Sequence, residues 1–253
     1  MESFKFKFCL PYKITLIDSI QKICKGFAFE LFIPFGLGSY IGRVTFEDKK
    51  HIPDLIALSS ISSLIQTTWN VLFGLLLGFP FMLSNFILEP FTLWNGLSIS
   101  LAILFFLNLL FYLLTRTEFL QFLKSKWPEI SKLEWSLMRF KKKDYIIISG
   151  LSLLRYLVYL LQIAVALVFV SEVHFLVAVN TAAIFLMLLS MIYLPGFLST
   201  LSRAAIAVLV FSYIGIGQNQ SISVSWLIYL LNVGIPAMFG FYFLLNHIVQ
   251  RAK

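Results

Sequence analysis

The sequence predicts an all-α fold, a polytopic integral membrane helical bundle of about five to six spans with one or two broken or re-entrant segments. Three observations predict it. Of 253 residues, 59% are hydrophobic and only 13% charged, with a mean hydropathy of +0.89, whereas a soluble domain carries roughly a quarter charged residues. Apolar stretches recur at about the 20-residue length that crosses a bilayer. The basic residues are gathered into blocks: eight Lys and Arg fall in 1–50, eight in 115–144 and four elsewhere.

In chain order, 53–79, 94–114, 145–170 and 175–194 read as full spans, and 222–248 as a fifth after the turn-rich stretch 215–221. Two other apolar segments are short and broken. The first, 26–42, holds Glu30, Pro34, Gly36 and Gly38, with basic residues on both sides, and is expected to enter and leave on one side as a re-entrant segment. The second, 199–214, holds Arg203 and is expected as a short half-helix or a span. The charged and aromatic stretch 115–144 reads as a cytoplasmic amphipathic loop broken at Pro128. The whole chain, 1–253, is then one transmembrane domain.

Charge placement supplies the orientation. The two basic blocks face the cytoplasm and the loops at 80–93, 171–174 and 215–221, which contain no Lys or Arg, face out. The net charge of +8 marks loops beside anionic lipid, so nucleic acid is not an expected partner. Cys9 and Cys24 lie apart without metal-ligand or disulfide spacing, and His51, His174 and His247 fall near span boundaries without an i, i+4 partner; no metal and no cofactor are expected. The chain shows no GxSxG, HExxH, P-loop or paired-carboxylate pattern, so an intramembrane enzyme has no support from motifs.

Ionisable residues within apolar segments carry the functional signal, because one at the bilayer centre costs about 2.5–3.5 kcal/mol on insertion scales. They are Glu30, Arg155 and Arg203. Three readings are open for Arg155, which lies about 15 Å into its helix. It reaches back to the cytoplasmic face, it pairs with Glu30, or it lines a wet pocket with Arg203 that holds an anion through forked hydrogen bonds. At 34–38, freed backbone N–H groups binding an anion and plain loop packing are both open. Gln66, Thr67, Asn70, Gln162, Asn180 and Asn232 read as interhelical glue or as a wet pathway.

The stretches ITLIDSIQKICKGFAFELFIPFGLGSYIGRVTF and IALSSISSLIQTTWNVLFGLLLGF, followed by LSLLRYLVYLLQIAVAL and LPGFLSTLSRAAIAVLVFSYIGI, resemble the lysylphosphatidylglycerol synthase transmembrane-region family in its Bacteroidetes-type form. The resemblance covers about 14–248. Pro34, Gly38, Tyr40 and Arg43 match its first motif, while Gly36 and Ser39 stand where the family has an arginine and a glutamate. Pro195, followed by Gly196, and Arg203 match the second. Against the family pattern the chain is expected to lack the soluble aminoacyltransferase domain and the first helices.

The resemblance implies handling of aminoacylated phospholipid, including movement between leaflets, without aminoacyl transfer. The expected function is therefore a flippase- or transporter-like protein of a bacterial inner membrane acting on anionic or aminoacylated phospholipid. Its candidate binding residues are Arg203, Arg155, Arg43, Glu30 and Tyr40. The alternative is a non-transporting membrane subunit that recruits or stabilises a membrane or cytoplasmic protein partner through 115–144. Oligomeric state is left open.

Overall fold

The computed structural model describes residues 1–33, 37–82, 140–191 and 198–251, and every regular element among them is helical. They are α1 (Glu2–Cys9), α2 (Leu16–Glu30), α3 (Leu37–Val44) and α4 (Ile52–Phe73), which passes through a π-helical turn (Gly74–Gly78) into α5 (Phe79–Met82). After them come α6 (Lys142–Ser171), α7 (Phe175–Met191), α8 (Leu198–Ser212), α9 (Gln218–Tyr229), a second π-helical turn (Leu230–Gly234) and α10 (Ile235–Arg251).

Local chemistry sets the helix ends. Thr15 caps α2 by accepting the Asp18 N–H at 3.1 Å. Pro53 sits in the first turn of α4, where no donor is missed. The Asp144 carboxylate accepts the Lys141 N–H at 2.8 Å and so closes the start of α6. At the other end Glu172 takes a left-handed conformation, φ 55°, that turns the chain into α7.

Three helical runs are long and apolar enough to cross a membrane: Ile52–Phe81, Lys142–Ser171 and Gln218–Gln250. The most apolar stretch of each is only 22%, 28% and 17% buried inside the protein, respectively. A helix so apolar would be buried all round in a water-soluble fold. Here Leu64, Ile146, Phe169 and Met238 point outward instead, with Phe169 89% exposed, so the outer surface matches hydrocarbon.

These runs coincide with the expected spans 53–79, 145–170 and 222–248. Over the described residues α7 and α8 run for 17 and 15 residues, and 192–197 between them are not described. The expected span 94–114 lies outside the described residues, as do Pro34, Gly36, Pro195, Gly196 and all but 140–144 of the amphipathic loop.

Within the expected segment 26–42 the described backbone is helical on both sides of 34–36. Helix α2 begins at Leu16 and runs through Gly26 to Glu30, so the two arms of a helical hairpin are α2 and α3. Glycine makes the hairpin tight. A Cβ on Gly38 would strike the Phe29 carbonyl, and one on Gly42 the Lys25 carbonyl, so only a bare backbone fits at either place. On the other side of α2, Gly240 of α10 meets the Cys24 carbonyl in the same way.

Two apolar clusters hold the remaining helices. One joins Tyr156, Ile163 and Leu167 of α6 to Ala178, Ala182 and Phe185 of α7, Phe211 of α8 and Ile228 of α9. The other joins Phe6 of α1, Ile23 of α2, Leu55 and Leu58 of α4 and Ile148 of α6. Replacing Gly42 with Leu is expected to destabilise the protein by about 1–3 kcal/mol by forcing α3 off α2. Gly150→Ala, where no atom lies within 4 Å of the new Cβ, is expected to be neutral or stabilising. Thermal unfolding of both variants in detergent checks this.

Candidate functional site

Along α4 the residues Ser59, Ser62, Ser63, Gln66, Thr67 and Asn70 recur at steps of three and four, which puts them on one face over about 16 Å of axis. The opposite face carries Leu64, 68% exposed. Three other helices turn similar faces to the same space: Arg155 and Tyr159 on α6, Ser199, Ser202 and Arg203 on α8, and Ser225 and Tyr229 on α9, extended by Asn232 in the π turn. Tyr40 and Arg43 of α3, Glu30 of α2 and Glu2 of α1 complete the wall of one cavity of about 380 Å³. That volume lies in the range of small-molecule sites.

The α2–α3 hairpin accounts for part of this placement. By setting α3 backbone against α2 backbone, it brings Arg43 and Glu30 to the same wall. The Arg43 guanidinium lies 5.6 Å above the ring of Phe6, which is fully buried. Arg203 lies 5.4 Å from the ring of Tyr229, and Arg155 5.4 Å from that of Tyr159.

Arg155 does not pair with Glu30. Its Nη1 lies 3.0 Å from Oε1 of Glu2, and its Nη2 donates to the Tyr159 hydroxyl at 3.4 Å. The same Glu2 oxygen accepts from Lys5 Nζ at 2.6 Å, and Lys5, fully buried, also donates to Ser152 Oγ at 2.8 Å. Burial by itself would raise the Glu2 carboxyl. Arg155, Lys5 and Arg43 outweigh it and hold the group at about 2, below its ordinary 4.5.

The other two arginines differ. Among the described residues neither Arg43 nor Arg203 has a carboxylate within ion-pair distance, and the buried Nε of each has no protein partner. Ser59 Oγ, Ser62 Oγ, Gln66 Oε1 and the Tyr156 hydroxyl are likewise buried without one. Elsewhere the helical hydroxyls satisfy themselves on the preceding turn, as Ser171 does on Leu167 at 2.6 Å and Thr181 on Val177 at 2.8 Å. Each unmet buried group costs about 1–3 kcal/mol. These groups, from α3, α4, α6 and α8, all border the one cavity, which points to a site that binds polar groups from outside the protein.

All five residues singled out for binding, Arg203, Arg155, Arg43, Glu30 and Tyr40, therefore meet at one cavity. Gly38 serves the α2–α3 contact instead, and Pro34, Gly36, Pro195 and Gly196 are not among the described residues. Gln66, Thr67, Asn70 and Asn232 line the cavity, and Asn232 Nδ2 donates to Gln162 Oε1 at 2.9 Å, an interhelical hydrogen bond. Glu2, Tyr159, Tyr229 and the serines were not singled out from sequence. The three-and-four spacing on α4 was the available signal for the serines; Glu2 lies before the first apolar segment and had none. His51 and His247 lie elsewhere, with the His51 ring tilted 32° against Tyr12 and the His247 ring 38° against Phe46. Among the described residues no three His, Cys, Asp or Glu side chains gather as a metal site.

A carboxylate held below its unfolded value stabilises the fold fully above about pH 4.5, and the contribution is lost as pH falls through about 2. Wild-type protein is expected to unfold at a higher temperature than Glu2→Gln at pH 7, and the gap is expected to shrink steadily as the pH is lowered through the acid range. Melting curves of both proteins against pH check the sign.

Compared with protein-family models, with curated proteins and with solved structures, the chain matches none.

Proposed function

We propose that this chain is a flippase- or transporter-like protein of a bacterial inner membrane, crossing it five to six times, that receives the headgroup of an anionic or aminoacylated phospholipid in the arginine-lined cavity. One observation carries the reading. Three guanidiniums face two carboxylates across one cavity set among lipid-facing helices, and two of the three keep an unpartnered buried Nε. A phosphodiester is the anion that lipid supplies to such a place, and guanidinium groups bind its oxygens through forked hydrogen bonds.

The polar face of α4 adds a route. Its run of about 16 Å is roughly half the thickness of a hydrocarbon core, so a headgroup moving along it exchanges water for hydroxyl and amide groups instead of entering alkane. The avoided cost is large, because an unpaired ion in an apolar medium costs tens of kcal/mol in the limit. The family resemblance of the Arg43 and Arg203 segments agrees with the same reading.

Arg203→Gln removes one charge-assisted contact, worth about 1.5–3 kcal/mol, and so at least about tenfold in affinity. Native mass spectrometry of the detergent-solubilised protein is expected to show an anionic or aminoacylated phospholipid retained by wild type and depleted tenfold or more in the variant. Translocation of the same lipid in proteoliposomes is expected to fall in parallel. Equal retention and equal translocation by a variant that melts like wild type would refute the proposal.

A further inference from the structure

The three arginines at the cavity are not equivalent, and the difference lies in α1. Among the described residues Arg155 alone of the three has a carboxylate, that of Glu2 at 3.0 Å, and this carboxylate itself faces the cavity. The groups that receive it form a built site. Arg155 is steadied by the Tyr159 hydroxyl at 3.4 Å, and the fully buried Lys5 ammonium, 2.6 Å from the same oxygen, is steadied by Ser152 Oγ at 2.8 Å. Two cations, each oriented by a hydroxyl, converge on one oxyanion.

We infer that Arg155 and Lys5 form a second anion subsite of the cavity, specific for a phosphate-type oxyanion, and that Glu2 is a tethered occupant which the incoming ligand displaces. The inference rests on reading the cavity as a headgroup site. Displacement is an exchange of like for like: the buried cations keep an anionic partner throughout, whereas simple withdrawal of Glu2 would leave both unpaired.

The carboxylate can leave without unseating the helix. Glu2 lies in the first turn of α1, while Phe6, fully buried in the second apolar cluster, and Cys9 anchor the turns after it. The outward face of α1 carries Phe4 and Phe8, 41% and 56% exposed and stacked on each other, with Lys7 Nζ 5.6 Å from the Phe8 ring. That face suits the membrane interface, so α1 stays seated while its first turn yields.

The test is retention of phosphatidylglycerol against phosphatidylcholine in native mass spectrometry, for wild type, Glu2→Gln, Glu2→Asp and the pair Glu2→Gln with Arg155→Gln. Inorganic phosphate alone is titrated in parallel. Freeing the subsite is expected to raise retention of the anionic lipid about tenfold in Glu2→Gln. A smaller gain is expected in Glu2→Asp, which keeps the charge but withdraws it by one methylene and so guards against a folding defect. Loss of the gain is expected in the double variant. A gain for the lipid alone assigns the subsite to a headgroup, and an equal gain for inorganic phosphate assigns it to a free anion; both support the subsite. Selective binding by wild type with no gain in either Glu2 variant would overturn this inference and leave the cavity reading standing. No selective binding by any of the proteins would overturn both.

Discussion

Where α1 crosses α6, two cations each lie within 3.0 Å of one carboxylate oxygen, in a setting that excludes most water. Removing a single partner from such a group is strongly destabilising, on the order of 3–5 kcal/mol, because the partner left behind stays buried and charged. The cluster therefore holds the first helix against the sixth, and with it one wall of the cavity. Phe6 of α1, seated in the second apolar cluster, lies beneath the Arg43 guanidinium.

The second constraint is close backbone approach. Lipid offers no hydrophobic force to press helices together, so packing and small residues decide which ones meet. Helix α2 is gripped on one side by Gly38 and Gly42 and on the other by Gly240. This close packing sets Glu30 and Arg43 at one wall without an ion pair between them. Rigid backbone can thus hold a charged wall in place while leaving its guanidinium nitrogens available.

The long spans were legible because apolar length is a one-dimensional property, and α4, α6 and the α9–α10 run follow it closely. The convergence of Arg155 and Arg203 on one cavity was legible for a related reason: burying a guanidinium is costly enough to announce a purpose. The start of α2 was not legible. Asp18, Gln21, Lys22 and Lys25 interrupt its apolar run, although its Ile23, Cys24 and Ala28 face is buried. Glu2 was hidden more deeply, since the contact that defines it joins residues as distant as the 147-residue separation of Lys5 and Ser152. The serines on α4 were visible as a period but not as a site. A helical serine usually bonds its own preceding turn, and only packing reveals that Ser59 and Ser62 do not.

The two π-helical turns complete the physical account of the cavity. The turn Gly74–Gly78 begins one helical turn after Asn70, and Leu230–Gly234 contains Asn232 and Val233, which line the cavity. A π turn inserts a residue into the helical ladder and rotates everything after it. In the first case the rotation ends the polar face of α4 and turns Gly74 and Gly78 onto Met187 and Ile184 of α7, a contact that a Cβ would block. In the second it aims Asn232 across at Gln162 of α6. Both runs thus present an asparagine to the cavity beside or within a π turn, Asn70 and Asn232.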